Sequence, residues 1–310
     1  MKILTKFHSI KVKIILLLSI IILVVNVGMG YLSYYISSNA LIENLNQLLP
    51  EMAKESALLI ENNIESNLDL LDAIVYSLKD GNLTQEQIVT KLKIQQTKGR
   101  YLLLGIADTK GNLALSSEKV INIQDLAVYK KALKGERTVS EPSRDMIGIS
   151  GISTDSLIVV YALPIKVGGK IDSVLLAVRS GNEFSTLVND ISFGKTGKAF
   201  MVNENGDMIA HENLSLVYDK VNYISIAEQD KSLRKLADLL TLMKAGKGGA
   251  GDYTYNGIKK YAGYAPIGAT GWSIVLSGDS SDMLSGLNDS KSYYNDGKRR
   301  FSAANSYNTN

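Results

Sequence analysis

The first fifty residues combine a short basic segment with a long apolar run. Lysines occupy positions 2, 6, 11 and 13, and no further charged residue occurs before Glu43. Residues 14–32 are nearly all apolar, and as a helix they would extend roughly 28 Å, close to the thickness of a bilayer core. The flanking lysines predict an uncleaved anchor, with residues 1–13 cytoplasmic, 14–35 in the membrane and the rest outside. A cleaved signal peptide would have a shorter apolar core and a small-residue cleavage site.

A single apolar stripe at helical spacing follows the anchor and predicts a stalk helix over residues 36–80. Pro50 is expected to interrupt and bend this helix, and Gly81 with Asn82 to end it. Thr84 and Gln87 have the spacing of a capping box, which predicts the start of a second helix. The stripe consists of Leu41, Leu45, Leu48, Met52, Ile60, Ile64, Leu68, Leu71, Val75 and Leu78.

The remaining chain alternates strand-like and helix-like segments and repeats their order. LGIADTKGNLALSS corresponds to AFMVNENGDMIAHE, with Gly111 matching Gly206, and YALPI corresponds to YAPI, with Pro164 matching Pro266. Both matches lie about 100 residues apart, which indicates a duplicated module. The predicted fold class is therefore α+β: a transmembrane helix and a stalk helix carrying two modules with antiparallel sheets, at 81–190 and 191–287.

Composition narrows the possible functions. The 310 residues include no cysteine and only two histidines, His8 and His211, which excludes disulfides, thiolate metal sites and a site built on a pair of nearby histidines. The net charge of +3 arises at the two ends of the chain and gives no reason to expect nucleic-acid binding. No acid–base pair or nucleophile has the spacing that catalysis requires. We therefore predict no enzyme activity, no catalytic residue, no metal and no cofactor.

One short motif invites a nucleotide-binding interpretation that its neighbours do not support. Gly194, Lys195 and Thr196 resemble the end of a phosphate-binding loop, but Asn189 stands where the first glycine of that motif belongs. A turn between two elements is the simpler interpretation.

Residues 193–212 and 264–279 resemble the hallmark segments of Cache domains. The layout over residues 33–287 is similar to the double Cache sensor region of bacterial methyl-accepting chemotaxis proteins. The resemblance implies two PAS-like modules on a long helix, extracytoplasmic small-molecule sensing, a role in signal transduction and chemotaxis, and a homodimer formed through the stalk. In that family the first, membrane-distal module usually holds the ligand.

The family's amino-acid-binding motif is only partly present. It places Arg-x-Trp before the pocket helix, then Tyr-x-Asp, then a final Asp; here the first pair is Leu126 and Val128, and only Asp145 is retained. This departure argues against recognition of an α-amino acid through that motif. Arginines bind carboxylates well, so Arg144 and Arg179 favour an anionic ligand such as a carboxylate, although both could also be solvated surface residues. The candidate ligand-binding residues are Tyr129, Arg144, Asp145, Tyr161 and Arg179, and packing is an equal alternative for the two tyrosines.

Residues 288–310 form a polar tail without Leu, Ile, Val or Met, so this tail cannot supply a second membrane span. We expect a truncated or frameshifted product that ends before a signalling domain, or else a single-anchor sensor that acts through a partner receptor. The alternative functions are an accessory protein that pairs with full-length receptors, or the sensor half of a histidine kinase or diguanylate cyclase.

Overall fold

A computed structural model describes residues 10–79, 84–114, 120–144 and 157–285. Its first element is a single helix of 70 residues, α1 (Ile10–Lys79). The predicted anchor and stalk are thus parts of one helix, and the expectation that Pro50 interrupts it was wrong. Leu49 and Ala53 are buried on either side of Pro50, and this packing stabilises the helix where the proline removes a hydrogen bond. The predicted stop at Gly81 and Asn82 lies outside the described residues.

The two halves of α1 have different surroundings. The N-terminal half is long and apolar enough to cross a membrane, with a mean hydropathy of 2.5 and no buried residue in its most apolar window. From Leu45 onward, one face of the same helix is buried, including Ile60 and Leu71 at 0% exposure. The predicted stalk stripe is confirmed, because it is the face on which the rest of the protein packs.

The first module begins with α2 (Gln85–Lys98), and its predicted capping box is present. The Gln87 amide donates to Thr84 Oγ1 at 3.3 Å and the Thr84 amide donates to Gln87 Oε1 at 2.9 Å. The other elements of this module are β1 (Leu103–Asp108), β2 (Asn112–Ala114), β3 (Val120–Asn122), α3 (Ala127–Ala132), β4 (Thr138–Val139), β5 (Ser143–Arg144), β6 (Leu157–Val167), β7 (Lys170–Ser180) and α4 (Asn182–Asp190).

These strands form the first sheet, in the order β3-β2-β1-β7-β6-β4, with β5 also pairing with β6. Every pairing within it is antiparallel. The central β6–β7 hairpin was predicted from the sequence. The short strands β3, β4 and β5 were not, because two or three residues give too little alternation to recognise.

The second module repeats this arrangement with more helices. Its sheet has the order β10-β9-β13-β12-β11, with β8 also pairing with β9. Its elements are β8 (Ser192–Phe193), β9 (Gly197–Val202), β10 (Met208–Ala210), α5 (Leu214–Tyr218), α6 (Tyr223–Ile226), a 3-10 turn (Lys231–Leu233), α7 (Arg234–Lys244), β11 (Gly249–Tyr255), β12 (Ile258–Ile267), a second 3-10 turn (Gly268–Thr270), β13 (Trp272–Asp279) and α8 (Ser280–Ser285).

Each sheet has an inner face that packs on α1 and an outer face turned away from it. The inner faces of both sheets join the buried stripe of α1 in one continuous core. The outer faces form two separate clusters, one in each module. Helix α4 connects the modules, and Phe184 within it packs edge-on against Trp272 of the second sheet, with ring centroids 5.3 Å apart.

The internal repeat is confirmed down to individual hydrogen bonds. In the two matched hairpins, a side-chain oxygen of Asp108 or Asn203 accepts from the backbone amides two and four residues further along, at 2.8 to 2.9 Å. The matched glycines, Gly111 and Gly206, have φ values of +84° and +89°, a region that glycine adopts at little cost. The two modules therefore share their turn chemistry as well as their strand order.

Candidate ligand-binding site

The outer face of the first sheet is apolar and lies beside one short helix. Helix α3 contributes Val128 and Tyr129 to this face, and both are buried. The members of the buried cluster on this face are Leu103, Ala107, Leu113, Ile123, Val128, Tyr129, Ala132, Ile158, Val160, Ala162, Val174, Leu176 and Val178.

Tyr129 is the predicted ligand residue that lies on this outer face. Its side chain is 2% exposed, and its hydroxyl donates to the carbonyl oxygen of Asp108 at 2.7 Å. The contact ties α3 to the hairpin turn that follows β1. Tyr129 therefore acts as a packing residue here, and its role in ligand binding stays a prediction.

Tyr161 and Arg179 lie on the inner face instead. Tyr161 is fully buried and shares the core of α1. Arg179 is opposite Val159 in the β6–β7 ladder, two residues from Tyr161 on the same face. Alternation along a strand places such residues together, so both side chains point toward the stalk helix.

Arg179 is held by three neighbours. Its Nε donates to Glu183 Oε1 at 2.8 Å, its Nη1 donates to the side-chain oxygen of Asn67 on α1, and its guanidinium lies 5.5 Å from the ring centroid of Tyr101. Asn67 is itself anchored, because its amide nitrogen donates to the Asn63 carbonyl at 2.9 Å. These side chains join the first module to the stalk through a largely buried polar cluster.

Burial dominates the electrostatics of this cluster. It raises the pKa of Glu183, an effect that the nearby Arg179 partly offsets. Burial also raises the pKa of Tyr161, and the negative charge of Glu183 adds to that increase. Both tyrosines of the cluster therefore remain neutral hydroxyls at ordinary pH, since burial raises the pKa of Tyr101 as well.

Arg144 lies between the two modules. Its guanidinium is 3.5 Å from Asp219 and 5.8 Å from the ring centroid of Tyr218, both in the second module. Glu141, three residues earlier, accepts from Asn203 at 2.6 Å and from Lys220 at 2.7 Å. Residues 141–144 therefore contact the second module, while β5 pairs with β6 of the first sheet.

The structure brings Tyr161 and Arg179 together and places Tyr129 and Arg144 elsewhere. Tyr129 lies on the outer face, Tyr161 and Arg179 lie on the inner face, Arg144 lies between the modules, and Asp145 lies outside the described residues. Sequence reasoning missed Asn67 and Glu183 as partners of Arg179. Asn67 did carry a signal, because it is a polar residue at a buried position between Ile64 and Leu68 of the apolar stripe.

Within the described ranges, no group of three or more His, Cys, Asp or Glu side chains is placed to hold a metal ion.

The profile of the Cache domain family, dCache_1, matches residues 36–287. The chain belongs to the Cache domain family. Cache domains are sensor modules and are typically non-catalytic. No curated protein matches the sequence.

Solved chemoreceptor domains share the fold. The ligand-binding domain of Pseudomonas fluorescens CtaA, in complex with L-serine, is 19% identical, with a TM-score of 0.61 over 77% of this chain and 99% of that one. The sensory domain of Campylobacter jejuni Tlp3 is 14% identical, with a TM-score of 0.59 over 80% and 98%. That of Pseudomonas aeruginosa PctB, in complex with L-Arg, is 19% identical, with a TM-score of 0.59 over 77% and 97%.

Proposed function

We propose that this Cache protein is a membrane-anchored sensor that binds a small molecule on the outer face of the first sheet. The supporting observation is the unequal covering of the two outer faces. In the second module the 11-residue α7 covers the face with Leu236, Leu239, Leu240 and Met243. Among the described residues of the first module, the helix on the equivalent face, α3, has 6 residues, and from this difference in helix length we infer that the first outer face is the better candidate for a ligand.

We further propose that both modules lie outside the cytoplasm and that the stalk forms a homodimer. The apolar half of α1 supports a membrane anchor, and the lysines that precede it favour a cytoplasmic N-terminus. The chain has no native cysteine, so a single Ser281→Cys variant can test the topology. A membrane-impermeant maleimide should label this variant in intact cells, whereas labelling only after lysis would contradict the proposed orientation.

The residues of this chain bear on the chemistry of the ligand. The solved domains of CtaA and PctB hold amino acids, but this chain has Leu126 and Val128 in place of the family's Arg and Trp. Arg179 and Arg144 each already contact a carboxylate of this chain, Glu183 and Asp219 respectively. We therefore favour a ligand with a mainly apolar body, and we keep carboxylates within the screen.

Thermal unfolding of the full chain in lipid nanodiscs tests the sensor function. The panel should contain amino acids, organic acids, amines, purines and apolar neutral compounds. A true ligand at 100 times its dissociation constant adds about 2.7 kcal/mol to the free energy of unfolding, which gives a clear rise in melting temperature. A panel without any shift would favour the accessory-protein alternative. We propose signal transduction as the role and chemotaxis as its first candidate pathway, because the similar solved domains come from chemoreceptors.

A further inference from the structure

The segment at 194–196, which resembles the end of a phosphate-binding loop, binds a carboxylate of its own chain. Asp282 Oδ2 accepts from the backbone amides of Lys195 and Thr196 at 2.8 Å each, and from Thr196 Oγ1 at 2.9 Å. Thr196 Oγ1 also accepts from the Asp279 amide at 3.0 Å. The loop at 194–196 is therefore a receptor for a carboxylate, and α8 provides that carboxylate.

Three glycines make room for α8 at this place. A Cβ atom at Gly194 would lie 2.9 Å from Asp282 Oδ2, closer than real Cβ contacts. A Cβ atom at Gly278 would overlap the end of Met283 and would approach Gly197 to 3.3 Å. Met283 itself is 7% exposed. Helix α8 is thus held by the carboxylate of Asp282, which accepts from three donors, by Met283 over glycine backbone, and by Leu284 packed against the core.

The charge of Asp282 matches the surroundings. Partial burial opposes ionisation, but the hydrogen bonds from Thr196 and Lys195 outweigh it and hold the pKa of this carboxyl below its usual value. The ionised form is therefore the one that the loop binds.

We propose that Asp282 and the loop at 194–196 form a latch that sets the position of α8 against α1. Helix α8 is the last described element and contacts both the second sheet and α1. The latch lies on a short helix of 6 residues that Met283 and Leu284 also pack against the core, so releasing the carboxylate loosens the position of α8 without opening the sheet. This latch is separate from the proposed ligand site, which lies in the other module, and its test does not depend on that site.

Spin labelling of the full chain in nanodiscs tests the latch. Because native cysteine is absent, Asn44→Cys on α1 and Ser281→Cys on α8 give one labelled pair per protomer. Mixing with excess unlabelled chain isolates the distance within a protomer, whose distribution reports the position of α8. Asp282→Ala should broaden this distribution and should accelerate amide exchange at Lys195 and Thr196 by about tenfold or more. Asp282→Asn and Thr196→Val, which each keep part of the contact, should give smaller changes. Asp238→Asn, an identical change on an exposed face of α7, should give none.

The single tryptophan separates a latch from a core contact. Trp272 is the only tryptophan and is buried in the second sheet, so its emission reports whether that sheet stays folded. The latch predicts unchanged Trp272 emission in Asp282→Ala together with a broadened distance. An unchanged distance in a folded Asp282→Ala protein would overturn the proposal. Loss of the native Trp272 emission in both Asp282→Ala and Asp282→Asn would overturn it too, because the contact would then belong to the core.

Discussion

The two modules place their bulky side chains on opposite faces at equivalent positions. Pro164 lies opposite Val174 and Pro266 opposite Ser273, so the matched prolines align the two central hairpins. Three residues before each proline, on the inner face, the first module has Tyr161 and the second has Gly263. Two residues before each proline, on the outer face, the first has Ala162 and the second has Tyr264.

This exchange means that the inner and outer faces are filled differently in the two modules. At Gly263 the backbone of α1 at Leu49 approaches so closely that a Cβ atom would overlap it, whereas Tyr161 fills the corresponding space in the first module. On the outer face Tyr264 adds an aromatic ring to the cluster of the second module, whereas the first module has the smaller Ala162 there. The close approach at Gly263 seats the second module tightly against the stalk, and the smaller outer-face residue of the first module agrees with the ligand site proposed there.

Removing the inner tyrosine should have the largest effect. Tyr161→Ala empties a fully buried position and should cost about 3 to 5 kcal/mol of unfolding free energy. Amide exchange in β6 and β7 would measure the loss within the first module. Tyr161→Phe is the matched control and should cost far less, because it keeps the ring. Equal costs for the two variants would show that the hydroxyl, and not the volume, matters.

Adding a methyl group to the inner glycine, Gly263, should have the second-largest effect on the free energy of unfolding. Gly263→Ala forces α1 away from β12 and should cost about 1 to 3 kcal/mol, measurable by urea unfolding followed at Trp272. A neutral Gly263→Ala would contradict the tight seating of the stalk on the second module.

Alanine substitutions at the two matched turn glycines should destabilise the protein less than Gly263→Ala, and by different amounts. Gly111 and Gly206 both have positive φ, so alanine is strained at either, at a cost of about 1 to 2 kcal/mol. At Gly111 the new Cβ would meet the backbone of Gln124 at 2.8 Å, but at Gly206 it would meet the flexible end of Ile224. Gly111→Ala should therefore be the more destabilising of the two in thermal unfolding, and the reverse order would contradict the comparison.

The smallest expected effect is a difference between the same two turns in their response to acid. Hydrogen bonds from Asn112 and Lys110 hold the pKa of Asp108 below its usual value, so the stability that this turn gains is present at neutral pH and lost as pH falls below about 4. Asn203 occupies the equivalent place and does not titrate. Exchange of the Lys110 and Asn112 amides, corrected for intrinsic pH dependence, should lose protection in acid. The Asn205 and Asp207 amides should lose less, because they donate to an amide oxygen, although Glu141 and Asp207 accept from the nitrogen of the same Asn203 side chain.

Asp108→Asn is the control for the pH effect. It gives the first turn the side chain of the second, so the acid-dependent loss of protection should disappear. A loss that persists in Asp108→Asn would assign the effect to another group.

Much of the fold could be predicted because its signals are local. The stripe on α1, the capping box at Thr84, the central hairpins and the repeated turns all follow from spacing within a few residues. Sequence also identified Asp145 as the retained part of the family's motif, although that residue lies outside the described part of the chain.

The candidate site was harder to predict because both faces of the central strands are buried. In β7 the run from Val174 to Val178 has no polar alternation, so the sequence does not reveal which face Arg179 shares. Only the position of α1 decides that Arg179 and Tyr161 face the stalk. One partner of Arg179, Asn67, lies 112 residues earlier in the chain, and no local sequence pattern spans that separation.

The most direct test of ligand binding at the first outer face compares two matched substitutions. Ala162→Leu adds volume to the outer face of the first sheet, and Ala262→Leu adds the same volume to that of the second. The panel compound that most raises the melting temperature of the wild-type chain should lose its effect in Ala162→Leu and keep it in Ala262→Leu. Loss in Ala262→Leu alone would contradict the account and would place the ligand in the second module.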